Sequence, residues 1–242
     1  AGIIAAGALD EVAKIIKPGI TTGQIDDLCY EFINDNGACS APLFYSGFPK
    51  SCCTSPNHTI CHGIPGNKIL TDGDIINVDV TTYKNGWHGD TSRMYYAGEV
   101  SVKAKKLIEV TYKSMMKAID ILNKEITLGD IGSTIQTYIE REGFSVVRDF
   151  CGHGIGRVFH QEPNILHYGR KGSGPKLKPG MIFTIEPMIN EGEHETKMLN
   201  DGWTAVTKDK KLSAQFEHTV GITEQGYEIF TLSKKELNHP PY

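Results

Sequence analysis

The chain has 242 residues, of which 39% are hydrophobic and 22% are charged, a composition that suits one large soluble domain or two small ones. Its formal net charge of −4 gives no general electrostatic case for binding nucleic acid or an anionic membrane. No apolar run approaches the length of a membrane span. The six cysteines form no C-x-x-C pair, which argues against a zinc knuckle and favours free thiols in a reducing cytosol.

Four helices are predicted from apolar spacing and from residues that cap or end helices. The first lacks a capping residue, and the chain begins at Ala1 rather than Met, so we expect upstream sequence to be missing. Thr22 and Ser101 are the expected caps of the second and third helices. The predicted helices cover 3–16, Thr22 to Gly37, Ser101 to about Asn123, and about Asp130 to Glu142.

The strands are predicted from short runs rich in β-branched and aromatic residues. They lie on both sides of the long third helix, which favours a mixed α and β architecture. Outside the central hairpin the predicted strands are Cys52–Thr54, Thr59–His62, Ile182–Ile185, Trp203–Val206 and Gln215–Ile222.

The central hairpin covers residues 76–93, and its first strand alternates apolar and polar residues, as a half-buried strand requires. Asn85-Gly86 suits a type I′ turn, because both residues tolerate a positive φ. A two-residue loop would place position 81 opposite 90 and position 79 opposite 92. Asp79 and Asp90 would then be diagonal neighbours on one face, roughly 7–8 Å apart at the backbone.

This pair of aspartates has two explanations. The face could simply be solvated, where aspartate is ordinary. Aspartate is nevertheless a poor strand former, and two carboxylates on one face repel each other unless a cation lies between them. Asp79 and Asp90 are therefore candidate metal ligands, with the solvated face as the alternative.

The chain also repeats itself. Each half contains a helix start with the pattern Ile-Thr-x-Gly, and each has a glycine followed by an apolar strand that ends in a carboxylate. The matched segments are Ile20–Ile25 with Ile126–Ile131, Gly73–Asp79 with Gly180–Glu186, and His62–Ile64 with His153–Ile155. A duplicated α+β unit would bring Asp79 and Glu186 together across a pseudo-twofold axis, unless these short matches arise by chance.

Three more polar residues lie among strand formers: His153 between two glycines, Glu186 at the end of an apolar strand, and Glu217 within another. Each of them alone has an ordinary structural explanation. With Asp79 and Asp90 they form four carboxylates and one imidazole, an oxygen-rich set that favours Mn²⁺, Fe²⁺ or Co²⁺ over a thiolate zinc site. Carboxylates can bridge two metals about 3.5–4 Å apart, as in hydrolytic centres.

At these motifs the sequence resembles the type I methionine aminopeptidases over essentially its whole length. The motifs, in the order of the family, are His62–Pro65, Asn77–Val80, His88–Ser92, Gly152–Gly156, Phe159-His160, Ile185–Met188 and Phe216–Thr219. The resemblance implies the α+β "pita-bread" fold, in which helices cover a curved antiparallel sheet built from pseudo-twofold halves. It also implies a single catalytic domain over residues 1–242, with halves of approximately 1–100 and 101–242.

The resemblance further implies the chemistry of the site. Asp90 and Glu217 would bridge two divalent ions (Co²⁺, Mn²⁺ or Fe²⁺, with Zn²⁺ as a further option), and Asp79 would chelate one ion. His153 and Glu186 would complete the other, with Glu186 also acting as the proton shuttle while a water between the metals attacks the carbonyl carbon of the leading methionine. His62 would contact the scissile amide and His160 the carbonyl oxygen; neither would be a ligand, and a structural histidine is the alternative for each.

The methionine side chain would occupy an apolar pocket, for which an ordinary aromatic core is the alternative. Pro42 departs from the cysteine that many bacterial relatives carry at the pocket rim. The implied pocket residues are Tyr45, Phe48, Cys53, Phe159 and Trp203. The resemblance further implies nascent polypeptides that begin with Met and a small second residue, contact with the ribosome, a cytoplasmic monomer, and no membrane or specific nucleic-acid partner.

Three other kinds of protein fit the sequence less well. Relatives that cleave Xaa-Pro bonds usually carry a separate N-terminal domain, for which this chain has no room. Type II enzymes insert a helical segment between the last two glutamate motifs, whereas Glu186 and Glu217 are close in sequence here. A binding protein that uses the same fold to hold ribosome or RNA would typically have lost ligands, and all five are present.

Overall fold

A computed structural model describes all 242 residues. No helix in it combines the length and the apolar character needed to cross a bilayer. The helices are α1 (Gly2–Ile15), α2 (Thr22–Asp35), α3 (Val102–Asp120) and α4 (Leu128–Arg141), with a 3-10 turn at Tyr45–Gly47. The strands are β1 (Cys39–Ser40), β2 (Cys53–Pro56), β3 (Thr59–Cys61), β4 (Asp74–Lys84), β5 (Trp87–Ala97), β6 (Ser145–Val146), β7 (Gly152–Gly154), β8 (Gln161–Ile165), β9 (Ile182–Ile185), β10 (Met188–Asn190), β11 (Thr196–Met198), β12 (Ala205–Thr207), β13 (Ser213–Gln215), β14 (Glu217–Ile222) and β15 (Tyr227–Ile229).

All four predicted helices are present, with small shifts at their ends. The cap of α2 is Thr21 rather than Thr22, because Thr21 forms a capping box with Gln24. Ser101 caps α3 as predicted, by accepting a hydrogen bond from the Ala104 N–H at 3.1 Å. The third helix ends at Asp120, before the predicted Asn123.

One nine-stranded antiparallel sheet forms the middle of the molecule. Its strands lie in the order β1-β4-β5-β14-β9-β7-β8, with β2 also paired to β4 and β15 to β14. Two three-stranded sheets, β13-β10-β6 and β11-β12-β3, lie beside it. Strands β4 and β5 come from the first half of the chain and β9, β7 and β8 from the second, so β14 is the strand that joins the halves.

The hairpin of β4 and β5 has the predicted register. Asn85 and Gly86 are its turn residues, with φ of 52° and 84°, as a type I′ turn requires. Thr81 lies opposite Asp90, and Asp79 lies opposite Ser92. The two-residue loop alone fixed this pairing, because loop length sets the register of a hairpin.

The predicted strand Gln215–Ile222 is in fact two strands. It is interrupted at Phe216, where the chain leaves the small sheet and enters the large one. Strand β13 pairs with β10, whereas β14 pairs with β5 and β9. The predicted strand Ile182–Ile185 is β9 with the same ends, and Thr59–His62 is β3 with one residue fewer. The predictions Cys52–Thr54 and Trp203–Val206 are displaced by one to two residues from β2 and β12.

The internal repeat is visible in the local structure. The Thr21 N–H donates to the Gln24 side chain at 2.9 Å, and the Thr127 N–H donates to the Asp130 carboxylate at 2.7 Å. Each of these threonines also forms an isolated β-bridge, Thr21 with Ile69 and Thr127 with Lys176. Ile69 lies shortly before β4, and Lys176 lies shortly before β9. One core cluster of 16 buried residues packs α1 and α2 against β4, and another of 25 packs α3 and α4 against β9 and β14.

Candidate metal centre

The register of β4, β5 and β14 brings three carboxylates to one face of the large sheet. Cys53 on β2 lies opposite Asp79, which lies opposite Ser92 on β5, which in turn lies opposite Glu217 on β14. Opposite residues of antiparallel strands share a face. Asp90, two residues before Ser92, points to that face as well.

The second half contributes two more ligand-type side chains to the same place. Strand β9 pairs with β14 so that Glu186, the first residue after β9, is level with Glu217. On the other side of β9 the His153 N–H donates to the Thr184 hydroxyl at 3.0 Å. The five residues singled out from the sequence therefore meet where β4, β5, β14, β9 and β7 lie side by side.

The glycines beside His153 allow this close approach. A Cβ on Gly152 would lie 2.5 Å from the Thr184 carbonyl oxygen, and a Cβ on Gly154 would lie 2.3 Å from that of Glu162. Both contacts are shorter than real Cβ contacts and involve backbone atoms. Glycine at these two positions therefore lets β7 lie close to β9 and β8.

The donor atoms converge on one point, and His153 forms no direct hydrogen bond with its carboxylate neighbours. One ligand-type atom from each of Asp90, His153 and Glu217 lies within 4.8 Å of the others. His153 Nε2 is 3.7 Å from both Asp90 Oδ2 and Glu186 Oε1, which is too far for a hydrogen bond. Donors at this spacing surround a point that a cation could occupy.

The cluster contains four carboxylates, and a cation between them would reduce their mutual repulsion. Burial, followed by the nearby charge of Glu186, raises the pKa of Asp79 to about 7. Burial likewise raises the pKa of Glu186 to about 8, and the pKa values of Asp90 and Glu217 lie well above their ordinary range for the same reason. Asp79 Oδ1 is buried and has no hydrogen-bond partner, so this oxygen is available to a metal ion.

Hydrogen bonds hold the carboxylates in place. The Thr81 hydroxyl donates to Asp90 Oδ1 at 2.6 Å, and the Thr184 hydroxyl donates to Glu186 Oε1 at 2.7 Å. The Gln215 amide donates to Glu186 Oε2 at 3.3 Å. Sequence reasoning placed Thr81 opposite Asp90 but gave it no role, and it missed Thr184 and Gln215.

A cavity of about 190 Å³ lies against the five ligand-type residues. The predicted pocket residues and both predicted non-ligand histidines line it, and the opposite wall is largely apolar and aromatic. Sequence reasoning did not assign Thr81, Phe150, Cys151 and Met188 to this site. The lining residues are Pro42, Tyr45, Phe48, Cys53, His62, Asp79, Thr81, Asp90, Phe150, Cys151, His153, Phe159, His160, Glu186, Met188, Trp203 and Glu217.

The two histidines approach the cavity from different sides. His62 has φ of 55°, a conformation that is uncommon outside glycine and clusters at functional sites, and its ring meets Phe150 edge-on at 5.6 Å. His160 lies with its ring centroid 4.2 Å from that of His153, and its Nδ1 is 3.1 Å from the Tyr45 hydroxyl. Burial lowers the pKa of both, that of His160 to about 3.

Comparison with known proteins agrees with this geometry. The family model described as metallopeptidase family M24 matches residues 1–224. A methionine aminopeptidase of Rickettsia prowazekii is 58% identical, over 100% of this chain and 94% of that protein, and one of Escherichia coli K12 is 49% identical over 98% and 90%. The chain belongs to the methionine aminopeptidases of metallopeptidase family M24.

Solved structures of this family share the fold. The crystal structure of the methionine aminopeptidase from Rickettsia prowazekii superposes with a TM-score of 0.95 at 57% identity, covering 96% of this chain and 94% of that one. The enzyme from Thermotoga maritima gives 0.94 at 41% identity, covering 96% and 93%. The predicted pita-bread fold and the predicted type of enzyme, a metal-dependent aminopeptidase, are thereby confirmed.

More distant family members share the fold alone. An Xaa-Pro dipeptidase from Bacillus anthracis superposes with a TM-score of 0.75 at 22% identity, and this chain covers only 60% of its length. By contrast, the chain spans 90% or more of the methionine aminopeptidases named above.

Proposed function

We propose that this methionine aminopeptidase removes the leading methionine from polypeptides, with the methionine side chain in the aromatic cavity and the first peptide bond over the carboxylate cluster. The observation that carries the proposal is that one cavity has ligand-type side chains on one side and an apolar wall on the other. An unbranched thioether suits such a wall, because sulfur and aromatic rings attract each other. Tyr45, Phe48, Cys53, Phe159 and Trp203 would form it.

The ligand set fits two divalent ions. Asp90 and Glu217 would bridge both, Asp79 would chelate one, and His153 with Glu186 would complete the other. The predominance of carboxylate oxygen favours Mn²⁺, Fe²⁺ or Co²⁺, with Zn²⁺ as a further option. Bound there, the ions would activate a water molecule and polarise the scissile carbonyl.

Glu186 has the position and support of a proton shuttle. Its two oxygens accept hydrogen bonds from Thr184 and Gln215, so the carboxylate is held in one orientation. It would take a proton from the attacking water and deliver it to the leaving amine nitrogen. A carboxylate held in one orientation beside the reacting bond can perform both transfers.

The histidines would act on the substrate through hydrogen bonds. The Tyr45 hydroxyl can donate to Nδ1 of His160, which leaves the proton on Nε2 and makes Nε2–H a donor for the carbonyl oxygen as charge develops. His62 would contact the scissile amide. Burial keeps both rings neutral, so each offers one donor and one acceptor.

The remaining proposals follow from family membership. We expect a single catalytic domain whose halves are approximately 1–100 and 101–242, supported by the large sheet that both halves share. We further expect a cytoplasmic monomer that contacts the ribosome and prefers a small second residue. These expectations rest on the resemblance to bacterial relatives.

The test combines metal titration with peptide cleavage. Chelator-treated protein should regain cleavage of a Met-Ala peptide on addition of Mn²⁺ or Co²⁺, with up to two ions bound per chain by calorimetry. Glu217→Ala should lose ion binding and turnover together, whereas His62→Ala should keep the ions and lose about 10²–10³-fold in kcat.

Two results would contradict these assignments. Metal-loaded protein that leaves the peptide intact would favour a binding protein of the same fold. Loss of the ions from His62→Ala would show that His62 acts on the metals rather than on the substrate.

A further inference from the structure

The segment that carries His160 is a short loop, residues 155–160, between β7 and β8. Within it the Gly156 N–H donates to the Val158 carbonyl at 3.1 Å, and the Ile155 N–H donates to Ile182 on β9 at 3.1 Å. The part that carries Phe159 and His160 forms no ladder with a neighbouring strand. Some other contact must therefore hold the two rings in place.

Tyr45 supplies one such contact, since its hydroxyl lies 3.1 Å from His160 Nδ1 and its ring centroid lies 4.8 Å from that of Phe159. His88 on β5 supplies the other. Its backbone N–H lies 2.8 Å from the Gly156 carbonyl oxygen, and its ring Nδ1 lies 2.9 Å from the same oxygen. A carbonyl oxygen only accepts, so Nδ1 must carry a proton. One residue of the hairpin thus donates two hydrogen bonds to one peptide group of the loop.

The His88 ring also begins an aromatic series that leads to the ligand-type residues. It stacks on Phe159 with centroids 5.5 Å apart and planes at 11°. Phe159 stacks on His160 at 4.0 Å, and His160 contacts His153 at 4.2 Å. Because the rings touch in sequence, a displacement of Gly156 or Phe159 would move His160.

We propose that His88 is a positioning residue that fixes His160 against the scissile carbonyl. It does so through the hydrogen bond from Nδ1–H to Gly156, with the stack on Phe159 as a secondary support. The proposal rests on the role assigned to His160 above. His88 lies two residues before Asp90 on β5. The strand that holds a ligand-type carboxylate therefore also holds the residue that positions His160.

Two substitutions separate the two contacts of His88. His88→Phe keeps an aromatic ring for Phe159 and the backbone N–H for Gly156 but loses the ring donor. His88→Asn loses the ring but can place its amide N–H near the position of Nδ1. We expect His88→Phe to lower kcat by roughly 10–100-fold with little change in KM, as for other residues that orient a catalytic group, and His88→Asn to recover most of the loss.

A double variant tests whether the effect passes through His160. In a His160→Ala background, His88→Phe should cause no further loss of kcat, because the group that it positions is gone. A multiplicative loss, or equal defects in His88→Phe and His88→Asn, would overturn the proposal. So would wild-type kinetics in His88→Phe.

Amide hydrogen exchange provides a readout that does not depend on activity. His88→Phe should speed exchange in residues 155–160 and leave metal binding unchanged, whereas His88→Asn should not. The matched control is His194→Phe, a histidine whose side chain is 38% exposed and contacts only Glu195 among charged groups, which should behave as wild type in every assay. Thermal unfolding of each variant shows that it is folded.

The measurements distinguish a wrong role for His160 from a wrong role for His88. If His160→Ala retains the wild-type kcat, the role assigned to His160 is wrong even when exchange shows that His88 orders the loop. If His160→Ala is impaired but exchange in residues 155–160 does not respond to His88→Phe, the positioning role of His88 is wrong and the proposed function stands.

Discussion

The Thr81 hydroxyl donates a hydrogen bond of 2.6 Å to Asp90 Oδ1, and the two residues lie directly opposite each other on β4 and β5. This bond fixes the orientation of the Asp90 carboxylate. It leaves Oδ2, which is 3.7 Å from His153 Nε2, directed toward the other ligand-type side chains. The hairpin therefore supplies both a metal-ligand candidate and the group that orients it.

Thr81→Val should weaken metal binding while the fold is retained. Valine has the shape of threonine without the hydroxyl, so Asp90 would lose its orienting donor. Loss of such an outer partner typically costs 10–100-fold in metal affinity or activity, and calorimetric titration with Mn²⁺ would measure it. Thr111→Val is the matched control, because Thr111 is equally buried but donates to Leu107 within α3. An unchanged affinity in Thr81→Val would contradict the orienting role.

Gly154→Ala should displace β7 from β8 and move His153. The added Cβ would lie 2.3 Å from the Glu162 carbonyl oxygen, so the two strands must separate. We expect a loss of about 1–3 kcal/mol in the free energy of unfolding, together with weaker metal binding. Gly66→Ala is the control, since a Cβ there would meet nothing within 4 Å. Chemical denaturation and metal titration of both variants would test this.

The stability of the metal-free protein should fall as pH rises from about 6.5 to 8.5. Burial raises the pKa of Asp79 to about 7 and of Glu186 to about 8. In that range the folded state keeps protons that the unfolded state has already released, so raising the pH favours unfolding. Metal ions replace those protons, and the midpoint of thermal unfolding should therefore rise more on metal addition at pH 8.5 than at pH 6.5. Equal gains at both pH values would contradict this account.

Buried histidines should produce the opposite trend in acid. Burial lowers the pKa of His167 and of His218 to about 3, below the ordinary value near 6.5 that they regain on unfolding. As pH falls below about 6.5, these histidines bind protons in the unfolded state but not in the folded state. Their contribution to the free energy of unfolding therefore declines. Above about pH 6.5 these histidines are neutral in both states, so only the decline caused by the carboxylates remains there, and thermal unfolding in a series of buffers should show stability falling between pH 6.5 and 8.5.

Asp10→Ala should destabilise the fold without changing the candidate metal centre. Arg93 Nη1 lies 2.7 Å from Asp10 Oδ1, with side-chain exposures of only 3% and 2%, and the Ser233 hydroxyl also donates to Asp10 at 2.8 Å. Removing the carboxylate leaves the guanidinium buried and uncompensated, which typically costs about 3–5 kcal/mol. Lys113→Ala breaks an exposed pair with Glu109 and should leave the denaturation midpoint unchanged. The affinity for metal ions should be the same in the wild type, in Asp10→Ala and in Lys113→Ala.

Local rules were sufficient for the hairpin but not for the strand that follows Ser213. The Asn85-Gly86 turn has only one common geometry, so the pairing of Asp79 with Ser92 followed from the sequence. The break at Phe216 did not, because residues on both sides are buried and strand-forming. Only the positions of other strands determine that β13 and β14 join different sheets.

The supporting residues of the site were invisible for a related reason. His88 and Gly156 are 68 positions apart, and no local sequence pattern around either residue predicts their contact. The same holds for Gln215 and Glu186. Ligand-type residues stand out because a carboxylate or imidazole is unusual within a strand, whereas a threonine or glutamine in a strand is unremarkable until its partner is known.

The place of β14 has a consequence for how the protein is made on the ribosome. This strand lies between β5 and β9, yet apart from β15 it is the last strand to be synthesised. Until residues 217–222 leave the exit tunnel, no strand fills the place between β5 and β9, and Glu217 is missing from the ligand-type residues. A growing chain that stops before residue 217 should therefore remain catalytically silent, and activity should appear abruptly as that final segment emerges.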